Sequence, residues 1–159
     1  MIINIFFTLI ISYILFLISI EDIKTMLISE SKLRLLALFG FLYLISLGLS
    51  NKDINSIDLI LDNFYAMIIV FVSLYLLSII SYKIIGITSL GLGDIKISTV
   101  SSLWLGIDGS FTSLCISFLI SSLYSLYGKL SGKFKKFHQY PFAPFLSIGI
   151  VSTLILNKI

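Results

Sequence analysis

The chain has 159 residues, of which 58% are hydrophobic and 12% charged, with a net charge of +3 at pH 7 and a mean hydropathy of +1.10. A water-soluble domain carries about 25% charged residues. This composition leaves too little polar surface to solvate a globule, and excludes a soluble enzyme, a disordered tail and a disulfide scaffold. An all-α, multi-pass membrane protein with the lipid bilayer as its main partner is expected.

Residues 1–20 carry no charge and stop abruptly at Glu21-Asp22. They lack a basic leading region and a small-x-small cleavage site, so a retained first helix is expected rather than a signal peptide. Further apolar runs follow at 33–49, 59–81, 95–107, 111–128 and 141–156, the fourth of them short and rich in serine and threonine. A crossing needs about 20 apolar residues, and the pattern predicts about six transmembrane helices in a single domain over 1–159.

Charge placement supports that count. The loops after the first, third and fifth runs hold Lys24, Lys32 and Arg34, then Lys83 and Lys96, then Lys129, Lys133, Lys135 and Lys136, against Lys52 and Lys158 opposite: nine against two. By the positive-inside rule the N-terminus lies outside. Removing the fourth crossing would turn the split into six against five. The basic residues are therefore read as a topology signal in a cytoplasmic (plasma) membrane protein, and no nucleic-acid partner is expected.

Cys115 and His138 each stand alone, so no disulfide, thiol pair or histidine-based zinc site is available, and neither metal nor cofactor is expected. Carboxylates near a membrane are costly and ask for a reason. Asp53, Asp58, Asp62 and Asp108 fall in or beside outer loops, where solvation explains them. Glu21, Asp22, Glu30 and Asp94 fall on the inner side.

Asp94 closes Gly91-Leu92-Gly93-Asp94 just before the short fourth run. Two readings stand side by side: an aspartate capping the next helix, or an aspartate on a backbone ledge bared by the glycines to admit an extended substrate. The third glycine of a dinucleotide fingerprint and the Gly-Lys-Ser/Thr ending of a phosphate loop are missing. Asp22 ends the first helix on the same face. Two carboxylates brought close share a proton, one acting as base on a water and the other as acid toward a peptide carbonyl. No Gly-x-Ser-x-Gly elbow competes with this chemistry.

These residues resemble the type IV prepilin peptidases, membrane aspartic proteases of the Gly-x-Gly-Asp type. Asp22-Ile-Lys-Thr-Met-Leu-Ile-Ser-Glu30 is similar to the family's first motif, and Gly91-Leu-Gly-Asp-Ile-Lys96 to its second. Ser102-Leu-Trp-Leu-Gly106 and Pro141-Phe-Ala-Pro-Phe-Leu146 are similar to later family segments, in the same order. Ser29 stands where the family usually has proline, Glu30 where it has Asp or Asn, and Ala143 where it has glycine.

The resemblance implies Asp22 and Asp94 as the catalytic pair. It implies Gly91, Gly93, Lys96, Pro141 and Pro144 as substrate-binding or site-shaping residues. It further implies cleavage of basic leaders from pilin-like or pseudopilin-like precursors at the cytoplasmic face, after a glycine. The cysteine-containing region linked to N-methylation in long bacterial members is not seen ahead of the first helix, so cleavage without methylation is expected. Glu21 and Glu30 are candidates to attract the positive leader. Two rivals are a small proton- or cation-coupled transporter and an inactive assembly subunit of a pilus or secretion system. The transporter predicts acidic residues at helix midpoints, whereas Asp22 and Asp94 stand at segment ends.

Overall fold

The computed structural model describes residues 2–50, 56–86, 88, 90–133 and 139–156. Five helices follow in order: α1 (Ile2–Thr25), α2 (Glu30–Ser50), α3 (Ser56–Ile85), α4 (Leu92–Leu130) and α5 (Ala143–Leu156). No strand occurs among the described residues. The first four are long and apolar enough to cross a membrane, while α5 is shorter. The multi-pass membrane character expected from composition is thus present in the folded chain.

Large apolar side chains lie on both surfaces of the helices. Ile11, Leu15, Ile18, Leu36, Val70, Ile97, Leu146 and Ile150 fill the interior. Leu9, Phe16, Tyr65, Leu119 and Leu123 point outward, a pattern that lipid tolerates and water does not.

The fourth and fifth apolar runs are joined in one element, α4, rather than separated by a loop. Gly106 interrupts it with φ 68 and ψ −172, a backbone region open essentially to glycine alone. An unbroken helix would hold residues 94 and 121 roughly 40 Å apart. Yet Asp94 lies within electrostatic reach of Asp22, Asp22 accepts a hydrogen bond from the Ala143 amide, and Tyr140 bonds Ser121. The chain therefore doubles back at Gly106, and both ends of α4 return to the Asp22 end of α1.

Small residues set the closest helix approaches. A β-carbon on Gly149 of α5 would stand 2.1 Å from Ser117 Oγ and 2.3 Å from the Ser113 carbonyl oxygen of α4. Ser19 of α1 and Ser147 of α5 share a hydrogen bond of 2.8 Å. Helices in lipid gain from such close backbone packing, because hydrocarbon tails supply no hydrophobic push. On α2, Gly40 receives the edge of the Trp104 ring, whose nearest carbon would be 2.2 Å from an added β-carbon. Gly149→Ala is expected to lower stability by roughly 1–3 kcal/mol, since the obstructing Ser113 atom is backbone; a lowered thermal midpoint in detergent or nanodiscs checks this.

Several expected helix boundaries move outward by a few residues, while the start of α5 moves inward by two. α2 begins at Glu30 instead of residue 33, α3 extends to Ile85 instead of 81, and α4 begins at Leu92 instead of 95. α5 begins at Ala143, two residues after Pro141. Lys52, Lys135, Lys136, His138 and Lys158, like Asp53, lie outside the described residues.

Candidate active site

α1 closes with Met26 in the left-handed region at φ 53, its amide bonded to the Asp22 carbonyl at 2.8 Å. Left-handed closure is a common way for a helix to stop. It turns the chain sharply into residues 27–29 and brings α2 back along α1. Glu21 fixes this turn: its Oε2 accepts the Ser29 amide at 3.2 Å and pairs with Lys32 at 3.3 Å. Lys32 also donates to the Leu17 carbonyl at 3.1 Å.

Asp22, one residue on, faces the protein interior and is 6% exposed. Its Oδ2 accepts the Ala143 amide at 3.0 Å, and the Phe142 amide is directed at the same carboxylate. These are N–H groups at the opening of α5, where an anion is favoured by the orphan donors and the helix dipole. Pro141 and Pro144 bracket them. The rings of Phe142 and Phe118 stack with centroids 5.4 Å apart, and Tyr124, Tyr140 and Phe145 pack edge to face or tilted around them. That cluster braces the segment whose amides hold Asp22.

Asp94 stands in the first turn of α4, whose N-cap is Gly91 in extended conformation (φ −70, ψ 149) without a side-chain cap. The Gly91 amide is directed back at the Asp94 carboxylate, the reciprocal half of a capping box. A β-carbon at Gly91 would stand 3.1 Å from Asp94 Oδ2. The other oxygen, Oδ1, is buried and has no hydrogen-bond partner among the described residues. The capping and site readings of Asp94 are thus divided between its two oxygens. A buried carboxylate oxygen left unpaired is a cost that a purely structural cap has no reason to bear.

Gly93 does not leave a bare ledge. The space its β-carbon would take is filled by Ile28, 2.6 Å away, from the α1–α2 turn. Lys96 is directed not at Asp94 but at Glu30, with which it forms an exposed ion pair. Glu21 and Glu30 are thus each ion-paired within the protein, with Lys32 and Lys96 respectively. The amides of Phe142 and Ala143, Ile28 and the Glu30–Lys96 pair carried no spacing signal in the sequence. Among the described residues no group of three or more His, Cys, Asp or Glu could hold a metal ion.

Two carboxylates from helix ends far apart in the sequence lie within electrostatic reach of each other, one pinned by backbone amides and the other with a buried oxygen that has no hydrogen-bond partner among the described residues. No curated protein and no solved structure matches the chain. The model of the type IV leader peptidase family matches residues 9–126, which carry both aspartates and end before α5. Spanning most of the chain and both motifs, that match makes the protein a multi-pass membrane protease, a member of the type IV leader peptidase family.

Proposed function

We propose that the protein is an aspartic endopeptidase of the cytoplasmic membrane that removes the basic leader from type IV pilin-like or pseudopilin-like precursors, cutting after glycine. The observation that supports this reading is that Asp22 and Asp94 lie within electrostatic reach of each other at one end of the bundle, with Asp94 Oδ1 buried and without a partner among the described residues. Six crossings with the N-terminus outside fit the doubling back at Gly106. Lys24, Lys83 and Lys129, in the last turns of α1, α3 and α4, would then share the inner face with the two aspartates. The chain acts as one transmembrane peptidase unit.

The precursor's hydrophobic helix lies in the same bilayer as the enzyme, so binding needs only lateral approach and the scissile bond arrives at a fixed depth. The dyad holds one proton between its carboxyl groups. The ionised carboxylate takes a proton from water as the oxygen attacks the peptide carbonyl. The protonated carboxyl donates to the developing oxyanion. Collapse of the tetrahedral intermediate transfers a proton to the leaving amine, which becomes the new N-terminus of the pilin helix. The amides of Phe142 and Ala143 hold Asp22 in orientation, and Pro141 and Pro144 fix the backbone that presents them.

The test is cleavage of a membrane-inserted precursor with a basic leader and a Gly-Phe junction by wild type, Asp22→Asn and Asp94→Asn at equal expression. Wild-type processing with loss in both variants is expected. Loss in Asp94→Asn alone would remove Asp22 from the dyad. No wild-type cleavage across several precursors would overturn the peptidase reading in favour of an inactive assembly subunit.

A further inference from the structure

Three contacts tie the α1–α2 turn to the elements that carry the aspartates. Glu21 holds the Ser29 amide and Lys32, which anchors the turn to α1 and the start of α2. Ile28 fills the space beside Gly93, one residue before Asp94. Glu30, the first residue of α2, pairs with Lys96, two residues after Asp94. The turn therefore meets α4 on both sides of Asp94, at Gly93 through Ile28 and at the Lys96 side chain through Glu30, while Asp22 begins the same turn through its carbonyl bond to Met26.

From this juxtaposition we infer that the α1–α2 turn is a positioning clamp, in which Glu30 through Lys96 and Ile28 through Gly93 set where Asp94 stands relative to Asp22. The inference rests on the aspartic peptidase reading for its kinetic consequences, but not for its geometry. An exposed ion pair adds little to stability, so losing it leaves the fold standing. A displacement of about 1 Å in a reacting group costs on the order of 10²-fold in rate, so losing it is not silent. The clamp also assigns Glu30 a use other than binding the leader's positive charge. Glu30 and Lys96 are positioning residues, since neither touches the dyad.

Two measurements test the clamp. In precursor cleavage, Glu30→Lys and Lys96→Glu are each expected to lower kcat on the order of tenfold or more with KM unchanged, and the combined swap to recover most of the loss. If Glu30→Lys instead raises KM in proportion to leader charge, Lys96→Glu is silent, and the swap fails to rescue, Glu30 binds the leader and the clamp is overturned.

The second measurement does not depend on activity. In a Cys115→Ser background, a short bifunctional thiol reagent joins Asp22→Cys to Asp94→Cys. The yield is expected to fall on adding Lys96→Glu and to return with Glu30→Lys. An unchanged yield overturns the clamp whatever the enzyme cleaves. A yield that falls and returns, in a protein that processes no precursor, supports the clamp and rejects the peptidase reading.

Discussion

Asp94→Asn is expected to lower precursor cleavage on the order of 10³-fold while leaving the helices in place. The amide is nearly isosteric but can neither take a proton from water nor share one with Asp22. Asp22→Asn is expected to lose cleavage to a similar extent for the same reason, and its Oδ1 can still accept the Ala143 amide, so α5 stays seated. The alanine variants part company. Asp22→Ala removes the acceptor at the opening of α5 and is expected to cost about 0.5–2 kcal/mol. Asp94→Ala removes the acceptor of the Gly91 amide together with an oxygen that is buried without a partner among the described residues; the second loss offsets the first, and its thermal midpoint is expected to fall less than that of Asp22→Ala. Cleavage assays read beside thermal midpoints in detergent thus separate chemistry from architecture at each position. A fall in midpoint for Asp94→Ala matching that for Asp22→Ala would make both aspartates structural caps.

Gly106→Ala is expected to be the most damaging single change outside the aspartates. The nearest atom to an added β-carbon is Asn63 Oδ1 at 3.4 Å, an ordinary contact, so space is not the obstacle. The obstacle is the backbone, since φ 68 with ψ −172 is a conformation that L side chains avoid at a cost of about 1–3 kcal/mol. The chain can escape that cost by straightening toward a continuous α4, which would carry Ser121 and Tyr140 away from Asp94. Loss of folded protein in membranes, or retained protein without Asp22→Cys to Asp94→Cys cross-linking, is the expected result. Normal accumulation with normal cross-linking would show that the reversal at Gly106 does not hold the site together. Gly93→Ala is expected to be milder, because its obstruction is the flexible end of Ile28, and shortening Ile28 to alanine is expected to relieve it in a paired measurement of cleavage.

Hydropathy made the helical class and the body of α1 legible, because an uncharged run is a local property of the chain, although the helix continues past Glu21-Asp22 to Thr25. Motif order likewise singles out Asp22 and Asp94. The fourth and fifth apolar runs, expected at 95–107 and 111–128, are the two legs of α4, which part within a single residue at Gly106 rather than across residues 108–110. Partnerships were not legible. Glu30 meets Lys96 across 66 positions and Asp22 meets Ala143 across 121, separations to which no periodicity applies. Gly93 shows the same limit: the absence of a side chain is written in the sequence, but whether the space belongs to a substrate or to Ile28 is decided by tertiary packing.

The reversal at Gly106 also sets the enzyme against the thickness of its surroundings. From Asp94 to Gly106 the first leg of α4 rises only about 18 Å, against a hydrocarbon core of about 30 Å. It turns beside Asn63, inside α3 rather than at its Ser56 end. That leg is enclosed by protein over Ser101 to Leu105, but the 30 residues of α3 would rise about 45 Å and the 14 of α5, which turn Ile148, Ile155 and Leu156 outward, only about 21 Å, so a single molecule presents lipid with walls of very different height. Mismatch of this kind is borne by the film, which thins or tilts beside the short wall at fractions of a kcal/mol per Å. Acyl-chain length thereby enters the reaction as a variable, although no acyl chain takes part in the chemistry.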